Sequence, residues 1–284
     1  MEAIWAGILD WLLQVGVFLL LFMLILLTAK LMKDFLTPYR LIEELARKDN
    51  FAVGISLGGY LIATGIIFVG VVTGPSRTLL DDLFTVAGYA LLGLIFLNLS
   101  RWCLDKLAFN KFCNITAIVE EGNCGMAAVR FGAYIATGLV AAGSLHGEGG
   151  DVLTATAFFA LGQGALVLFT KLYDLTTPYH LQDQVRDGNV AAGLAFGGTL
   201  AALGLIIGRA VAEPFTSWSS SLLTFVELAV IGMVLLQVAR LLMDKLILTG
   251  HDLNREIAED RNMAAAFVEF SVAVAFALVL VVLV

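Results

Sequence analysis

Charged residues are scarce in this 284-residue chain: they make up 14% of it, against 60% apolar residues. Soluble domains contain about 25% charged residues and about 45–50% apolar ones. So few charges cannot cover a surface that faces water, and this composition therefore excludes an ordinary soluble domain. We expect most of the chain to lie in a lipid bilayer.

Cysteine and histidine are also rare, at three residues each. Cys103, Cys113 and Cys124 lack the Cys-x-x-Cys spacing, so neither a disulfide framework nor a structural zinc site is expected. The histidines lie in separate loops, and no nucleophile has a base at a usable spacing. We predict no enzyme activity, no cofactor and no metal site. The net charge of −7, without a basic cluster, excludes nucleic acid as a partner.

Long uncharged runs take the place of the missing charge. About 20 helical residues are needed to cross about 30 Å of hydrocarbon. The sequence predicts eight such spans, at 8–32, 51–73, 83–104, 124–145, 151–171, 189–212, 221–243 and 262–284. The fold class is therefore an all-α, polytopic membrane protein with eight transmembrane helices.

The connections between the spans predict the orientation. Those after spans 1, 3, 5 and 7 are long and charged, and each carries a short amphipathic stretch, either an interfacial helix or a solvated loop. Apart from Arg77 and Arg209 on the short-turn side and Arg130 within a span, the remaining 14 of the 17 Lys and Arg residues lie on the long-loop side. The positive-inside rule places the loops at 33–50, 105–123, 174–188 and 244–261 in the cytoplasm and both termini outside.

An internal repeat divides the chain into two four-helix halves, 1–145 and 146–284. Thr37-Pro38-Tyr39 recurs 140 residues later as Thr177-Pro178-Tyr179. A weaker repeat of about 70 residues is present within each half. Because an even number of helices preserves orientation, we expect two parallel repeats, related by a rotation of about 180° around the membrane normal.

Each repeat unit carries an acid and an asparagine at fixed places. The odd spans end at Asp34, Asp105, Asp174 and Asp244, and the even spans begin at Asn50, Asn123, Asn189 and Asn262. An asparagine at a helix start caps free backbone N–H groups. For the acids we expect ion pairs with Lys30, Arg101, Lys171 and Arg240, which lie three or four residues earlier.

Small residues recur along one stripe of the even spans at fixed distances from these asparagines. In lipid, small residues allow helix backbones to approach closely. The predicted packing positions are Gly54, Gly59, Gly132, Gly193, Gly198 and Gly204. We expect the even helices to form the tightly packed centre of each half.

These motifs resemble a known family. The segments Asp187-Gly188-Asn189-Val190-Ala191-Ala192-Gly193 and Asp260-Arg261-Asn262-Met263-Ala264-Ala265-Ala266 are similar to the YjfL-like inner-membrane family of unknown function, here in a tandem form. The first half departs from the pattern at Asp49-Asn50 and at Gly122-Asn123-Cys124. The resemblance implies a bacterial inner membrane and a link to envelope stress or to membrane-associated partners, and it supplies no established reaction.

Three ionisable residues within spans are the candidate substrate or ion site. Arg130 and Glu269 occupy the same position in the two halves, with opposite charge, and Glu227 is a further intramembrane acid. Charges within spans are costly and usually face a bundle interior or a cavity. The sequence leaves three alternatives for Arg130 and Glu269: a substrate or proton site, a salt bridge that joins the halves, or side chains that extend to the membrane surface.

Two functions follow from these observations. The first is a transporter or channel for a small solute or ion, with its site between the halves near Arg130 and Glu269. The second is a membrane scaffold whose cytoplasmic loops recruit an envelope-stress or membrane-remodelling partner. The candidate partners are thus the bilayer, a cytoplasmic protein and a second copy of the chain.

The predicted topology is testable by cysteine labelling. An impermeant thiol reagent added from outside should modify Glu148→Cys and spare Arg255→Cys, because the basic residues keep the long loops inside. Modification of Arg255→Cys alone would reverse the assignment.

Overall fold

The protein is described by a computed structural model over residues 2–74, 78–146 and 149–283. These ranges contain eight long helices: α1 (Glu2–Leu36), α3 (Phe51–Val72), α4 (Leu79–Leu107), α6 (Cys124–His146), α7 (Val152–Thr176), α9 (Val190–Val211), α10 (Trp218–Leu242) and α12 (Met263–Leu283). Four six-residue helices lie in the long loops: α2 (Leu41–Ala46), α5 (Asn114–Val119), α8 (Leu181–Arg186) and α11 (Leu253–Ala258). The predicted outer probe site, Glu148, falls outside the described residues.

All eight long helices are long and apolar enough to cross a membrane. A π-helical segment, Met243–Ile247, continues α10 and extends the seventh span. The prediction of an all-α membrane protein with eight transmembrane helices is confirmed. We call the side that carries the four short helices the long-loop side, and the opposite one the short-turn side.

The chain is built from four similar units in series. Each unit consists of an odd-numbered span, a short helix and an even-numbered span: α1–α2–α3, α4–α5–α6, α7–α8–α9 and α10–α11–α12. We call the even-numbered spans, α3, α6, α9 and α12, the even helices. They pack side by side in one row, α3 against α6, α6 against α9 and α9 against α12. Each of α4, α7 and α10 lies over two neighbours in that row. The tight centre expected for each half is therefore one row that runs through both halves.

This row differs from the two-fold arrangement expected from the sequence. A rotation of about 180° that brings α6 against α9 would also bring α12 against α3. In the described part of the chain α3 and α12 form no comparable interface. The reason is geometric, since each unit is placed on the preceding one in the same way and the row stays open at both ends.

Glycine makes the row possible. Gly59 packs on Phe131, Gly132 on Gly197 and Gly198 on Phe270, and each contact joins neighbouring even helices. Gly193 and Gly204 face the preceding helix α6, whereas Gly54 has only a distant contact with Leu45. Backbones this close leave no room for a side chain at the crossing points.

The packing at Gly132 predicts a large effect of a single methyl group. A Cβ at this position would overlap the carbonyl group of Gly197, and a helix backbone cannot move aside cheaply. We expect Gly132→Ala to lower the free energy of unfolding by about 1–3 kcal/mol.

The control is Gly164→Ala, since a Cβ at that position meets nothing within 4 Å. This change should leave stability equal or slightly higher, because alanine is the better helix former. Unfolding in mixed detergent micelles measures both variants, and equal stability of the two would contradict the packing described here.

Candidate functional site

The junction before each even helix has the same backbone geometry in all four units. The residue that precedes the asparagine has a positive φ: 51° at Asp49, 62° at Gly122, 75° at Gly188 and 51° at Arg261. This left-handed conformation favours glycine, so the two terminal units hold it with unfavourable residues. The turn directs the asparagine side chain back across the start of the helix.

Each asparagine amide makes two kinds of contact. Its Oδ1 accepts a hydrogen bond from a backbone N–H in the first turn of its own helix, as at Asn123, where the donor is Met126 N at 2.8 Å. The same N-capping is present at Asn50, Asn189 and Asn262. The predicted caps are therefore formed in all four units.

The Nδ2 of the first three asparagines crosses to the next unit. Asn50 donates to Val119 O at 2.9 Å, Asn123 to Val185 O at 2.8 Å and Asn189 to Ile257 O at 2.8 Å. These acceptors are carbonyls at the end of the next short helix. The fourth asparagine, Asn262, donates to Glu256 Oε2 within its own unit. The short helices are thereby joined in series.

The repeated aspartates act mainly on the short helices. The Oδ1 of Asp174 accepts from Leu181 N at 2.6 Å, and Asp34 and Asp244 accept from Leu41 N and Leu253 N in the same way. In each case the donor is the first residue of the short helix, so the acid caps that helix from a distance. Asp105 accepts instead from the Asn114 side chain at 2.7 Å.

The ring of ion pairs expected for these acids is largely wrong. The Asp34–Lys30 pair forms, at 2.5 Å. Asp105 pairs with Arg130 rather than with Arg101, and Asp244 pairs with Lys245 rather than with Arg240. Asp34, Asp174 and Asp244 also accept from backbone N–H groups seven or nine residues later, a contact that helical spacing alone does not predict.

Arg130 lies in a buried polar cluster of the first half. Its Nη2 is 2.6 Å from Asp105 Oδ1, and the residue is 5% exposed. Lys33, 1% exposed, donates to the Tyr134 hydroxyl and lies over the rings of Tyr60 and Tyr134. We call Lys33, Arg101, Asp105, Arg130 and Tyr134 the first-half cluster.

The corresponding place in the second half contains Tyr173, Arg240, Asn254 and Glu269, the second-half cluster. Arg240 Nε is 2.8 Å from Glu269 Oε1, and Arg240 Nη2 donates to Asn254 Oδ1 at 2.8 Å. The Tyr173 hydroxyl donates to Glu269 at 3.2 Å. The largely buried guanidinium of Arg240 and the buried carboxylate of Glu269 balance each other here.

The alternative of a salt bridge between Arg130 and Glu269 is therefore wrong. Each residue pairs within its own half, because α9 lies between α6 and α12 in the row. Because Arg130 is buried, its side chain does not extend to the membrane surface. Glu227, the third candidate, is exposed on α10 and lies apart from both clusters.

Basic side chains outnumber acids in the first-half cluster. Lys33, Arg101 and Arg130 surround one acid, Asp105, while Asp34 and Glu44 nearby already pair with Lys30 and Lys48. Tyr39 adds no negative charge, since burial raises its pKa above the ordinary value and keeps the phenol protonated. The sequence contained a signal for this imbalance, because the residue equivalent to Lys33 is Tyr173 and the one equivalent to Arg130 is Glu269.

Two cavities lie on the same side of the row as α4 and α7. A small one, about 20 Å³, is lined by Arg101, Asp105, Arg130, Tyr134 and Thr137 among others. A larger one, about 220 Å³, lies on the short-turn side, and both halves line it with polar residues that include Ser144, Asp151, Thr154, Ser220, Ser221 and Thr224. In the parts of the chain that are described, no group of three or more potential metal ligands occurs.

The model of the Domain of Unknown Function (DUF350) family matches residues 5–145 and again residues 149–284. The chain belongs to this family. It carries the domain twice, in line with the two-repeat architecture; the narrower likeness to YjfL-like proteins stays a prediction.

A relative supports the membrane assignment. The chain is 24% identical over 129 residues to the UPF0719 transmembrane protein YshE of Bacillus subtilis (strain 168), which covers 45% of this chain and 91% of that relative. No solved structure matches the chain. The protein is a multi-pass membrane protein of a family without an assigned role.

A double-mutant cycle tests the ion pairs found here. Arg240→Gln and Glu269→Gln should each lower the free energy of unfolding by about 3–5 kcal/mol, because each leaves a buried charge unpaired. The double variant should lose clearly less than the sum.

The matched control cycle combines Arg130→Gln with Glu269→Gln. These residues do not meet, so their effects should add within about 0.5 kcal/mol. A coupling energy between Arg130 and Glu269 would contradict the ion pairs described here and support a salt bridge between the halves.

Proposed function

We propose that the protein transports a small inorganic anion, bound by Lys33, Arg101 and Arg130 of the first-half cluster. The observation that carries this proposal is the excess of basic side chains over carboxylates: the buried Lys33 and Arg130 and the half-buried Arg101 share one acid, Asp105. Uncompensated charge within a membrane protein is expensive and marks a substrate or ion pathway. A bound anion would compensate it.

The size of the small cavity supports a small ligand. One water-sized particle needs about 10–15 Å³ in this measure, and the cavity beside Arg101 and Arg130 offers about 20 Å³. The Nε of Arg101 is buried and has no hydrogen-bond partner among the described residues. A halide or a similarly compact anion fits the available space and the available donor.

Polar groups continue from this cluster towards the short-turn side. Thr137 lines the small cavity and donates to Gln163 Oε1 at 3.4 Å, while the buried Gln163 Nε2 has no acceptor within the described ranges. On α7, Phe158 lines the larger cavity, and Phe159 stacks on Phe96 with ring centroids 4.0 Å apart. These groups support a path between the two cavities. In the present state an aromatic layer, formed by Phe96, Phe158 and Phe159, interrupts it.

The scaffold function is supported by a different observation, the serial joining of the four short helices by asparagine side chains. A layer held this way presents a fixed surface to a cytoplasmic partner. A scaffold needs neither an anion nor an excess of basic side chains within the spans, so an anion-binding experiment separates the two functions.

The test is anion flux from liposomes that contain the purified protein. Lys33→Gln should abolish chloride efflux, because it removes the most deeply buried basic side chain of the site. The matched control is Lys30→Gln, on the same helix, whose side chain is 40% exposed and pairs with Asp34; its flux should equal that of the parent.

Thermal stability gives an independent readout. Chloride should raise the Tm of the parent relative to gluconate, which is too large for the cavity, and should leave the Tm of Lys33→Gln unchanged. Equal flux in the parent and in Lys33→Gln, or no response of the parent to any halide, would reject the anion site and leave the scaffold as the better proposal.

A further inference from the structure

The row of even helices has two unused ends. Each inner helix of the row, α6 and α9, contacts a preceding and a following neighbour, whereas α3 lacks a preceding one and α12 lacks a following one within the described residues. The exposed face of α12 includes Ala264, Ser271, Ala275 and Val282. The open face of α3 includes Gly54, Gly58 and Gly65.

The three internal interfaces follow one rule. We number each even helix from its asparagine, so that Gly59, Gly132 and Gly198 are all at position +9. Each of these glycines packs on the residue at +8 of the following helix, which is Phe131, Gly197 or Phe270. A second contact places +15 of one helix on +13 of the preceding one, as in Gly138 on Ala63 and Gly204 on Ala136.

The same rule pairs the two ends of the row with each other. Position +9 of α12 is Ser271, an exposed residue, and position +8 of α3 is Gly58, where an added Cβ would meet nothing within 4 Å. Position +13 of α12 is Ala275, and position +15 of α3 is Gly65. All four are small, as close packing of helices in lipid requires.

The asparagine series ends at the same two places. Asn262 lacks the contact to a following unit that Asn50, Asn123 and Asn189 make. Conversely, the carbonyls at the end of α2, Leu45 O and Ala46 O, receive no side-chain donor from the described residues, although the equivalent carbonyls of α5, α8 and α11 do.

A groove is present where a preceding helix would lie. Apolar residues of α1 and α3 line a groove of about 850 Å³ that includes Leu26, Leu57, Leu61 and Ile62. On this face the first unit carries a large side chain: Phe22 stands where α4, α7 and α10 have glycine. Its ring packs on Phe68, with the ring centroids 5.0 Å apart, and it lines the groove from the α1 side.

We infer that a second copy of this chain places its α12 against the open face of α3, head to tail, and so continues the row. The continuity of three internal interfaces with the two free ends carries this inference. Both copies keep the same orientation in the membrane, and the contact is heterologous, so it closes into a ring or extends as a longer row. The inference does not depend on the proposed anion transport.

Disulfide cross-linking in membranes tests the contact. In a chain with Cys103, Cys113 and Cys124 replaced by serine, Gly58→Cys and Ser271→Cys are introduced into two differently tagged copies that are expressed together. Oxidation should join the two tags, because positions +8 and +9 are in contact at every internal interface.

The control pairs Ser271→Cys with Gly164→Cys, an exposed position on α7 that belongs to no interface of the row. Its cross-linked fraction should be several-fold lower. In addition, Ser271→Trp should lower the oligomer mass measured by light scattering in detergent, while the thermal stability of each chain stays unchanged, since the residue is exposed.

Three outcomes would overturn the inference. These are equal cross-linking of the Gly58 and Gly164 pairs, which indicates random collision; exclusive Ser271–Ser271 cross-linking, which indicates a face-to-face dimer; and a monomeric mass for the folded parent chain.

Discussion

Helices inside a bilayer gain little from apolar contact with each other, because the lipid offers the same contact. The architecture of this chain depends on what replaces that gain, which is backbone approach at glycine together with an asparagine amide at the start of each even helix. The amide caps its own helix and, in three units, holds the short helix of the next unit. One side chain thereby sets both the start of a span and the position of its neighbour.

The hydrogen bonds and ion pairs that join different helices are concentrated on the long-loop side of the protein. On the long-loop side, asparagines, aspartates and both buried clusters fix the short helices against the spans. On the short-turn side, the larger cavity is bordered by local caps, such as the reciprocal hydrogen bonds between Asp151 and Thr154, and by aromatic contacts among Phe158, Phe215 and Trp218. A conformational change that opens the aromatic layer would therefore involve the short-turn side first.

The elements that depend on local pattern were predictable from the sequence. Apolar length gives the spans, and the residue types at Asn50 and its equivalents give the N-caps, since both signals act within a few residues. The partners of Arg130 and Asp174 were not predictable, because they depend on which helices become neighbours. Because Arg130 and Glu269 occupy equivalent positions in the repeat, they are expected to have similar surroundings. This equivalence does not indicate whether the two side chains touch. The burial of Lys33 was missed because a lysine near the end of a span is normally assigned to the membrane surface.

The two-domain form of the chain has a consequence for the difference between the clusters. In an assembly of identical chains with one domain each, every position occurs once per chain, so a lysine at one site is a lysine at all of them. Joining two copies of the domain in one polypeptide removes this restriction. Lys33 and Arg130 differ from their counterparts Tyr173 and Glu269, whereas the asparagine is the same in all four units. The first copy can therefore carry an excess of basic side chains, while the second carries the balanced Arg240–Glu269 pair on the same framework. A symmetric assembly of identical single domains cannot differ in this way from one domain to the next.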